Sequence, residues 1–212
     1  MQLEQIYTHI DHTVLKQTTT WAQVQKLCDE AIQGKAASVC IPPCYVAKAK
    51  EYTNGAMPIC TVIGFPNGYQ TTMVKLVETK EALANGADEI DMVINLCDVK
   101  NGEWDKVSHE IKALKHACGN RVLKVIVETC YLTEEEKVRL CQIVTEAKAD
   151  YIKTSTGFGS AGATVEDVTL FRKECGPDVK IKAAGGIRTV EDAENMLSAG
   201  ADRLGSSALL AR

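Results

Sequence analysis

The stretch Lys148-Ala-Asp-Tyr-Ile-Lys-Thr-Ser-Thr-Gly-Phe-Gly159 reads as one step of an α/β fold. Ala149 and Asp150 lead out of a helix, Tyr151 to Lys153 supply a short strand, and Thr154 to Gly159 turn the chain into a polar, glycine-rich loop. A lysine inside a buried strand needs a reason. Taking an ammonium out of water costs several kcal/mol unless it is paired or gives up its proton. A lysine that gives up its proton is a nucleophile. The plainer alternative is a strand-end lysine that snorkels to solvent.

Working outward, the same junction recurs. Gly86-Ala87-Asp88 and Gly200-Ala201-Asp202 also link a helix end to a strand start, before the fourth and eighth strands, as Lys148-Ala149-Asp150 does before the sixth. Between these junctions strands and helices alternate. The strands are expected at Ile10–Leu15, Ala37–Ile41, Pro58–Ile63, Asp88–Asn95, Val122–Val127, the opening stretch, Lys180–Ala184 and Asp202–Gly205. The spacing Thr20/Gln23 predicts a capped helix whose Val24, Leu27, Cys28, Ala31 and Ile32 share a face and which Gly34 ends. Pro42-Pro43 stops the second strand and opens a helix to about Thr53. A helix from Thr71 is expected to turn Met73, Leu76, Val77, Leu83 and Ala84 inward. Further helices are expected over about Glu103–Cys118, from Thr133 with its capping box to Ala147, from Thr164 to Cys175, from Thr189 to Ala199, and at the end over Ser206–Arg212. Eight βα units with short connections imply a parallel sheet closed into a (β/α)8 TIM barrel; an open doubly wound sheet is the alternative.

The composition suits one domain spanning residues 1–212. The chain has 45% hydrophobic residues and only five prolines, with no Pro-rich or Gly/Ser-rich linker. A net charge of −4 without a basic stripe argues against nucleic acid or an anionic membrane as partner, and points to small molecules. Met1 leads into Gln-Leu-Glu-Gln without a signal sequence, and no apolar run approaches the roughly 18 residues of a membrane span, so a cytoplasmic location is expected. Nine cysteines, an odd number, read as buried thiols, among them Cys40, Cys60 and Cys130. Neither Cys40/Cys44 nor His9/His12 has a second ligand pair at zinc-site spacing, so no metal is expected.

In a barrel, strand residues alternate between interior and helix layer, and functional groups gather at the strands' C-terminal ends. If the neighbouring aliphatics face the helices, Asp11, Asp91, Lys124, Lys153 and Lys182 all point inward. A structural ion-pair network is one reading of that cluster. The catalytic reading needs a neutral amine. An unperturbed lysine is only about 0.1% free amine at pH 7. A second ammonium about 6 Å away, at an effective dielectric of about 20, contributes about 2.8 kcal/mol, or around two pK units. Lys182 could therefore activate Lys153. The neutral amine would add to a carbonyl, the iminium would stabilise a carbanion on the next carbon, and Asp91 with a water would move protons.

Two loops suit phosphate. Gly185-Gly186-Ile-Arg188-Thr189 follows the seventh strand and Gly205-Ser206-Ser207 the eighth, and each is expected to run into a helix N-terminus. Gly157-Phe-Gly-Ser-Ala-Gly162 also matches G-x-G-x-x-G, which would mean a nicotinamide-dependent oxidoreductase, but it sits at the sixth strand instead of the first βαβ unit.

The segments Asp11-His-Thr13, Ser38-Val-Cys-Ile41, Gly86 to Asn95, Leu123-Lys-Val-Ile-Val-Glu-Thr129, Tyr151 to Gly157 and Ile181-Lys-Ala-Ala-Gly-Gly-Ile-Arg188 together resemble the deoxyribose-phosphate aldolases, class I aldolases, nearly end to end. The resemblance implies reversible cleavage of 2-deoxy-D-ribose 5-phosphate to D-glyceraldehyde 3-phosphate and acetaldehyde, without cofactor or metal, and a homodimer. It casts Lys153 as the Schiff-base lysine, Lys182 as its activating partner and Asp91 as the proton-transfer residue. Asp11, Lys124, Cys40 and Thr154 support them, and Gly157, Gly185, Gly186, Arg188, Gly205, Ser206 and Ser207 hold phosphate. Two features depart from the family pattern. Pro42 replaces a polar or aromatic residue, and Leu209-Leu-Ala-Arg212 carries no tyrosine, which leaves proton transfer to Asp91 or water. A sugar-phosphate-binding barrel without catalysis is the rival reading.

Overall fold

The computed structural model describes residues 3–210. Eight parallel strands, β1 (Ile10–Thr13), β2 (Ser38–Ile41), β3 (Ile59–Ile63), β4 (Glu89–Val93), β5 (Val122–Ile126), β6 (Tyr151–Lys153), β7 (Lys180–Ala184) and β8 (Arg203–Ser206), close in sequence order into a barrel. β8 pairs back onto β1, with Asp11 opposite Gly205. Around it lie α1 (Leu3–Tyr7), α2 (Trp21–Gly34), α3 (Val46–Thr53), α4 (Thr72–Ala84), α5 (Leu96–Lys100), α6 (Trp104–Cys118), α7 (Glu134–Glu146), α8 (Val165–Glu174) and α9 (Val190–Ser198).

Period-2 alternation sorts the strand residues into two environments. Ile10, Val39, Ile41, Ile59, Ile90, Met92, Leu123, Val125, Ile152, Ile181, Ala183 and Leu204 join the large apolar cluster shared with the helices. Each larger aliphatic buried there contributes about 1.5–3 kcal/mol. The alternate positions carry Asp11, Cys40, Cys60, Asp91, Lys124 and Lys182, all fully buried, and Cys40, Cys60 and Val62 form a separate small cluster inside. The sequence therefore builds an oily layer outside the strands and a charged one within.

The recurring junction is a structural device, and it occurs once more than the sequence pattern shows. At Lys35, Gly86, Lys148 and Gly200 the backbone turns left-handed, with φ of 55°, 99°, 54° and 111°. The next residue, alanine in each case, donates its N–H back to the preceding helix: Ala36 to Ala31, Ala87 to Ala82, Ala149 to Val144 and Ala201 to Met196. The third residue immediately precedes the even-numbered strand. In three of the four it is an aspartate whose N–H donates to one residue of the preceding strand and whose Oδ2 accepts that residue's N–H. Asp88 grips Ile59 in this way, Asp150 grips Leu123 and Asp202 grips Ile181. Each carboxylate also meets a cation from the helix before that strand, Lys50, Lys115 or Arg172. Ala37 takes the position in the first quarter. These clamps lie at the strands' N-terminal ends, the stability face of a barrel.

The capping boxes expected at Thr20, Thr133 and Thr189 form. The expected end of α2 shifts by one residue, because Gly34 is still helical and Lys35 takes the left-handed position. The expected inner face of α4 is only partly right: Leu76 and Leu83 pack against the core, but the helix is turned away from the rest of that face. Met73 and Val77 are 68% and 58% exposed, while Lys75, Thr79 and Ala82 are buried. Lys75 sets that rotation. Its ammonium bonds the Glu110 carboxylate on α6 and the Val93 carbonyl at the end of β4, both at 2.8 Å. A buried pair has only one geometry that satisfies it, whereas a methyl group packs in many. The terminal helix is also absent among the described residues. Ser206 is the last residue of β8 and residues 207–210 form bends; Ala211 and Arg212 lie outside the described residues. No helix of the described residues is long and apolar enough to cross a membrane.

Candidate active site

β1, β4, β5, β6 and β7 bring Asp11, Asp91, Lys124, Lys153 and Lys182 together inside the barrel. Asp91 is the hub. Its Oδ2 accepts from Lys153 Nζ and from Lys182 Nζ, each at 2.7 Å. Its Oδ1 accepts from Lys124 Nζ at 2.9 Å and from the Cys60 thiol at 3.1 Å. Asp11 pairs with Lys182 and accepts from Ser38 Oγ at 2.7 Å and Arg203 at 2.6 Å. Lys153 and Lys182 share one oxygen, so their ammonium groups lie within the roughly 6 Å at which a second cation counts for about 2.8 kcal/mol at a dielectric of about 20.

Two members of the network had no signal in the strand pattern. Glu89 bonds Lys124 at 2.5 Å, and Arg203 bridges Asp11 and Glu89. With them the interior holds four cations, Lys124, Lys153, Lys182 and Arg203, against three carboxylates, Asp11, Glu89 and Asp91. One positive charge is left over. Burial alone would pull the Lys124 and Lys182 ammoniums down, but the Asp11 and Asp91 carboxylates outweigh it and hold both above the ordinary lysine value. Burial likewise pushes Asp91 up, and the ammoniums of Lys124, Lys153 and Lys182 outweigh it, leaving the carboxyl well below its usual range. Asp11 is held low by Lys124, Lys182 and Arg203 in the same way. Arg203 is raised by Asp11 and Glu89 against burial.

Lys153 differs from the other two lysines in its outlook. It forms part of the wall of a cavity of about 290 Å³ at the strands' C-terminal ends, which Lys124 and Lys182 do not reach.

The cavity is walled by Gly157, Gly185, Gly186, Arg188, Gly205, Ser206 and Ser207, the sequence-derived phosphate set, together with Thr13, Lys16 and Thr156. Two expectations about these loops need correction. No helix follows Gly205-Ser-Ser207 among the described residues, and Ser206 Oγ is already donated to the Ile187 carbonyl at 2.9 Å. At the start of α9, the amides of Arg188 and Thr189 donate to Asp192 Oδ2 at 3.0 and 2.9 Å. The Gly185-Gly186 turn, at φ of 85° and 82°, exposed Ser207 and the Arg188 and Lys16 side chains line the cavity for an anion there. The G-x-G-x-x-G run serves packing between loops. A Cβ on Gly162 would lie 2.2 Å from the Gly185 carbonyl oxygen, so the loops after β6 and β7 touch backbone to backbone.

Thr154 is buried and ties those strands, its hydroxyl donating to Ala184 O at 3.2 Å and accepting from Ala184 N at 3.1 Å. Pro42 lies in an adjoining depression with Leu15, Phe65 and Phe158, outside the main cavity. Cys40 opposes Cys60 across β2 and β3. Their sulfurs and an Asp91 oxygen lie within 4.8 Å of one another, a spacing that metal-ligand sets share. Lys124 Nζ stands 3.3 Å from the Cys60 sulfur and 2.9 Å from Asp91, so an ammonium already supplies the cation for these donors. His9 and His12 are turned elsewhere, toward Asp202 O and Glu30.

Glu128, just past β5, sits at φ 56° and ψ 67°, a left-handed conformation that costs a non-glycine residue about 1–2 kcal/mol. Its carboxylate is buried against Thr156. The residue lies inside a segment quoted for the family resemblance, yet only the backbone angle and the contact mark it.

A family model described as DeoC/LacD family aldolase matches residues 6–212. Over 207 residues the chain is 58% identical to a protein of Clostridium botulinum (strain Alaska E43 / Type E3) named deoxyribose-phosphate aldolase, covering 98% of this chain and 94% of that one. A protein of the same name from Clostridioides difficile (strain 630) is 55% identical with the same coverage. The solved structure of deoxyribose phosphate aldolase from Aeropyrum pernix, described as a unique tetramer, is 31% identical, matches with a TM-score of 0.91, and is covered over 89% of its length by 99% of this chain.

Proposed function

The chain belongs to the DeoC/LacD family of aldolases, and we propose that it cleaves 2-deoxy-D-ribose 5-phosphate reversibly to D-glyceraldehyde 3-phosphate and acetaldehyde through an imine on Lys153. The observation that carries this reading is the Asp91 oxygen shared by Lys153 and Lys182 in a buried network with one surplus positive charge. Of the network's three lysines only Lys153 lines the cavity, and the neutral form of that amine is what carbonyl addition requires.

The working substrate is the open-chain aldehyde. Lys153 Nζ adds to C1, and loss of water gives the iminium. The C2–C3 bond then breaks, its electron pair moving toward the iminium nitrogen as the C3 hydroxyl gives up its proton. Glyceraldehyde 3-phosphate leaves and the enamine of acetaldehyde remains on Lys153. Protonation at C2 and hydrolysis release acetaldehyde and restore the amine. Asp91 is ionised at rest, so it can take up a proton transiently and pass it on among Lys153, Lys182 and water. Gly185, Gly186, Arg188 and Ser207 hold the phosphate at the far end of the cavity. We take the enzyme to be cytoplasmic, because all nine cysteines are free thiols, which suits a reducing compartment. A homodimer is the family's implication.

Formation of glyceraldehyde 3-phosphate from deoxyribose 5-phosphate tests the reaction directly. Binding of the phosphosugar without turnover would favour the non-catalytic barrel. Lys182→Leu tests the activation. It removes the cation that shares the Asp91 oxygen with Lys153. The rise of kcat with pH is expected to move up by around two units, with about a 100-fold loss at pH 7. An unchanged pH profile would remove Lys182 from the activating role.

A further inference from the structure

We propose that Glu128 is a positioning residue for the aldol reaction, acting through Thr156 to set the loop that follows Lys153. The inference rests on the reading of Lys153 and its cavity given above. The Glu128 side chain is 3% exposed, and among the described residues no cation lies within ion-pair distance of its carboxylate. A buried carboxylate without a counter-ion has to be satisfied by donors, and both of its donors come from one residue. Glu128 Oε1 accepts the Thr156 N–H at 3.1 Å, and Oε2 accepts the Thr156 hydroxyl. The same hydroxyl oxygen accepts the Phe158 N–H at 3.0 Å.

Donor and acceptor roles along this chain are therefore fixed. Phe158 N–H points to Thr156 Oγ1, whose own proton points to Glu128. The two Glu128 oxygens supply both acceptors at the end of it. The two strand ends are joined in parallel by backbone bonds from Val127 N to Lys153 O and Thr129 N to Thr154 O, both 3.0 Å. On the far side of the loop, a Cβ on Gly159 would stand 3.2 Å from the Glu128 carboxyl carbon, so the loop rests on this carboxylate. Its other face supplies Thr156, Gly157 and Phe158 to the cavity wall. Phe158 also stacks edge-on against Phe65, with ring centroids 5.4 Å apart. Held this way, the loop completes the cavity wall beside the Gly185-Gly186 turn. Loss of the clamp should loosen substrate binding and leave the imine chemistry in place.

The test uses purified full-length variants Glu128→Gln, Glu128→Ala, Thr156→Ser and Thr156→Val, assayed for cleavage of deoxyribose 5-phosphate. Glu128→Ala is expected to raise KM at least tenfold while kcat changes less than threefold. Glu128→Gln, which keeps one acceptor, should fall between it and the parent. Thr156→Ser, which keeps the hydroxyl, should lie closer to the parental KM than Thr156→Val, which has the same shape without it. Borohydride trapping of acetaldehyde on Lys153 should proceed equally in all the folded variants. An unchanged KM in folded Glu128→Gln and Thr156→Val would overturn the proposal. So would a fall in kcat with KM constant, which would place Glu128 in the chemistry itself. If trapping fails in the parent protein, the imine reading fails first, separately from Glu128.

Discussion

Lys153→Leu is expected to abolish aldol turnover, on the order of a 10^4-fold loss or more, while the barrel stays folded. The two halves of this expectation come from the same network. Leucine cannot add to a carbonyl, and the nearest remaining amines, Lys124 and Lys182, are fully buried and held protonated by Asp11 and Asp91. Neither can take over the nucleophile's part. The substitution also removes the surplus cation, so Lys124, Lys182 and Arg203 then face Asp11, Glu89 and Asp91 one for one. No buried charge is stranded. A steady-state assay alongside urea unfolding separates the two halves. Retained turnover in a folded Lys153→Leu protein would remove Lys153 from the mechanism.

Asp91→Asn has the opposite structural consequence and the second largest expected effect. Asparagine keeps the shape of aspartate but leaves four cations on two carboxylates, with its own amide donors aimed at ammonium groups. Breaking a buried pair from one side costs about 3–5 kcal/mol, because the charge left behind has lost its solvent and its partner. Loss of the proton relay lowers kcat by about 10^2 to 10^4-fold.

The pH dependence of stability separates this explanation from mere loss of packing. In the parent, Asp91 has a native pKa well below its unfolded one. Its contribution is complete above the unfolded value of about 3.9 and is lost as pH falls through the native value. In Asp91→Asn the stranded ammonium groups bind protons less tightly folded than unfolded. The variant therefore gains stability as pH rises toward the lysine range, and its deficit against the parent narrows. Urea unfolding from pH 6 to 9.5 measures that gap. A gap that stays constant across this range would contradict the charge account.

The barrel was legible because three kinds of signal agree along the chain. Strand runs such as Ile59-Cys-Thr-Val-Ile63 have the right length, the caps at Thr20, Thr133, Thr164 and Thr189 mark helix starts, and the helix-to-strand junctions repeat. Lys124, Lys153 and Lys182 stood out because each interrupts an apolar strand at an inward position. Glu89 and Arg203 did not, since each opens its strand next to an aspartate and so reads as a solvated strand end. What draws them inward is the company of other charges, and that company comes from strands distant in sequence. α4 was only partly legible for a related reason. Hydrophobic periodicity cannot weigh a buried ion pair whose partner, Glu110, stands 35 residues away. α1 and α5, five residues each, are too short to show a period. Glu128 was quoted within a motif and left without a role, because left-handed backbone at a glutamate has no sequence signature.

The most direct measurement is borohydride reduction of the protein in the presence of acetaldehyde, followed by peptide mass mapping. An ethyl group on Lys153 and on no other lysine is the predicted result, since among the three buried lysines of the network it alone lines the cavity. An adduct on Lys182 or Lys124, or none on a folded protein that turns over deoxyribose 5-phosphate, would contradict it.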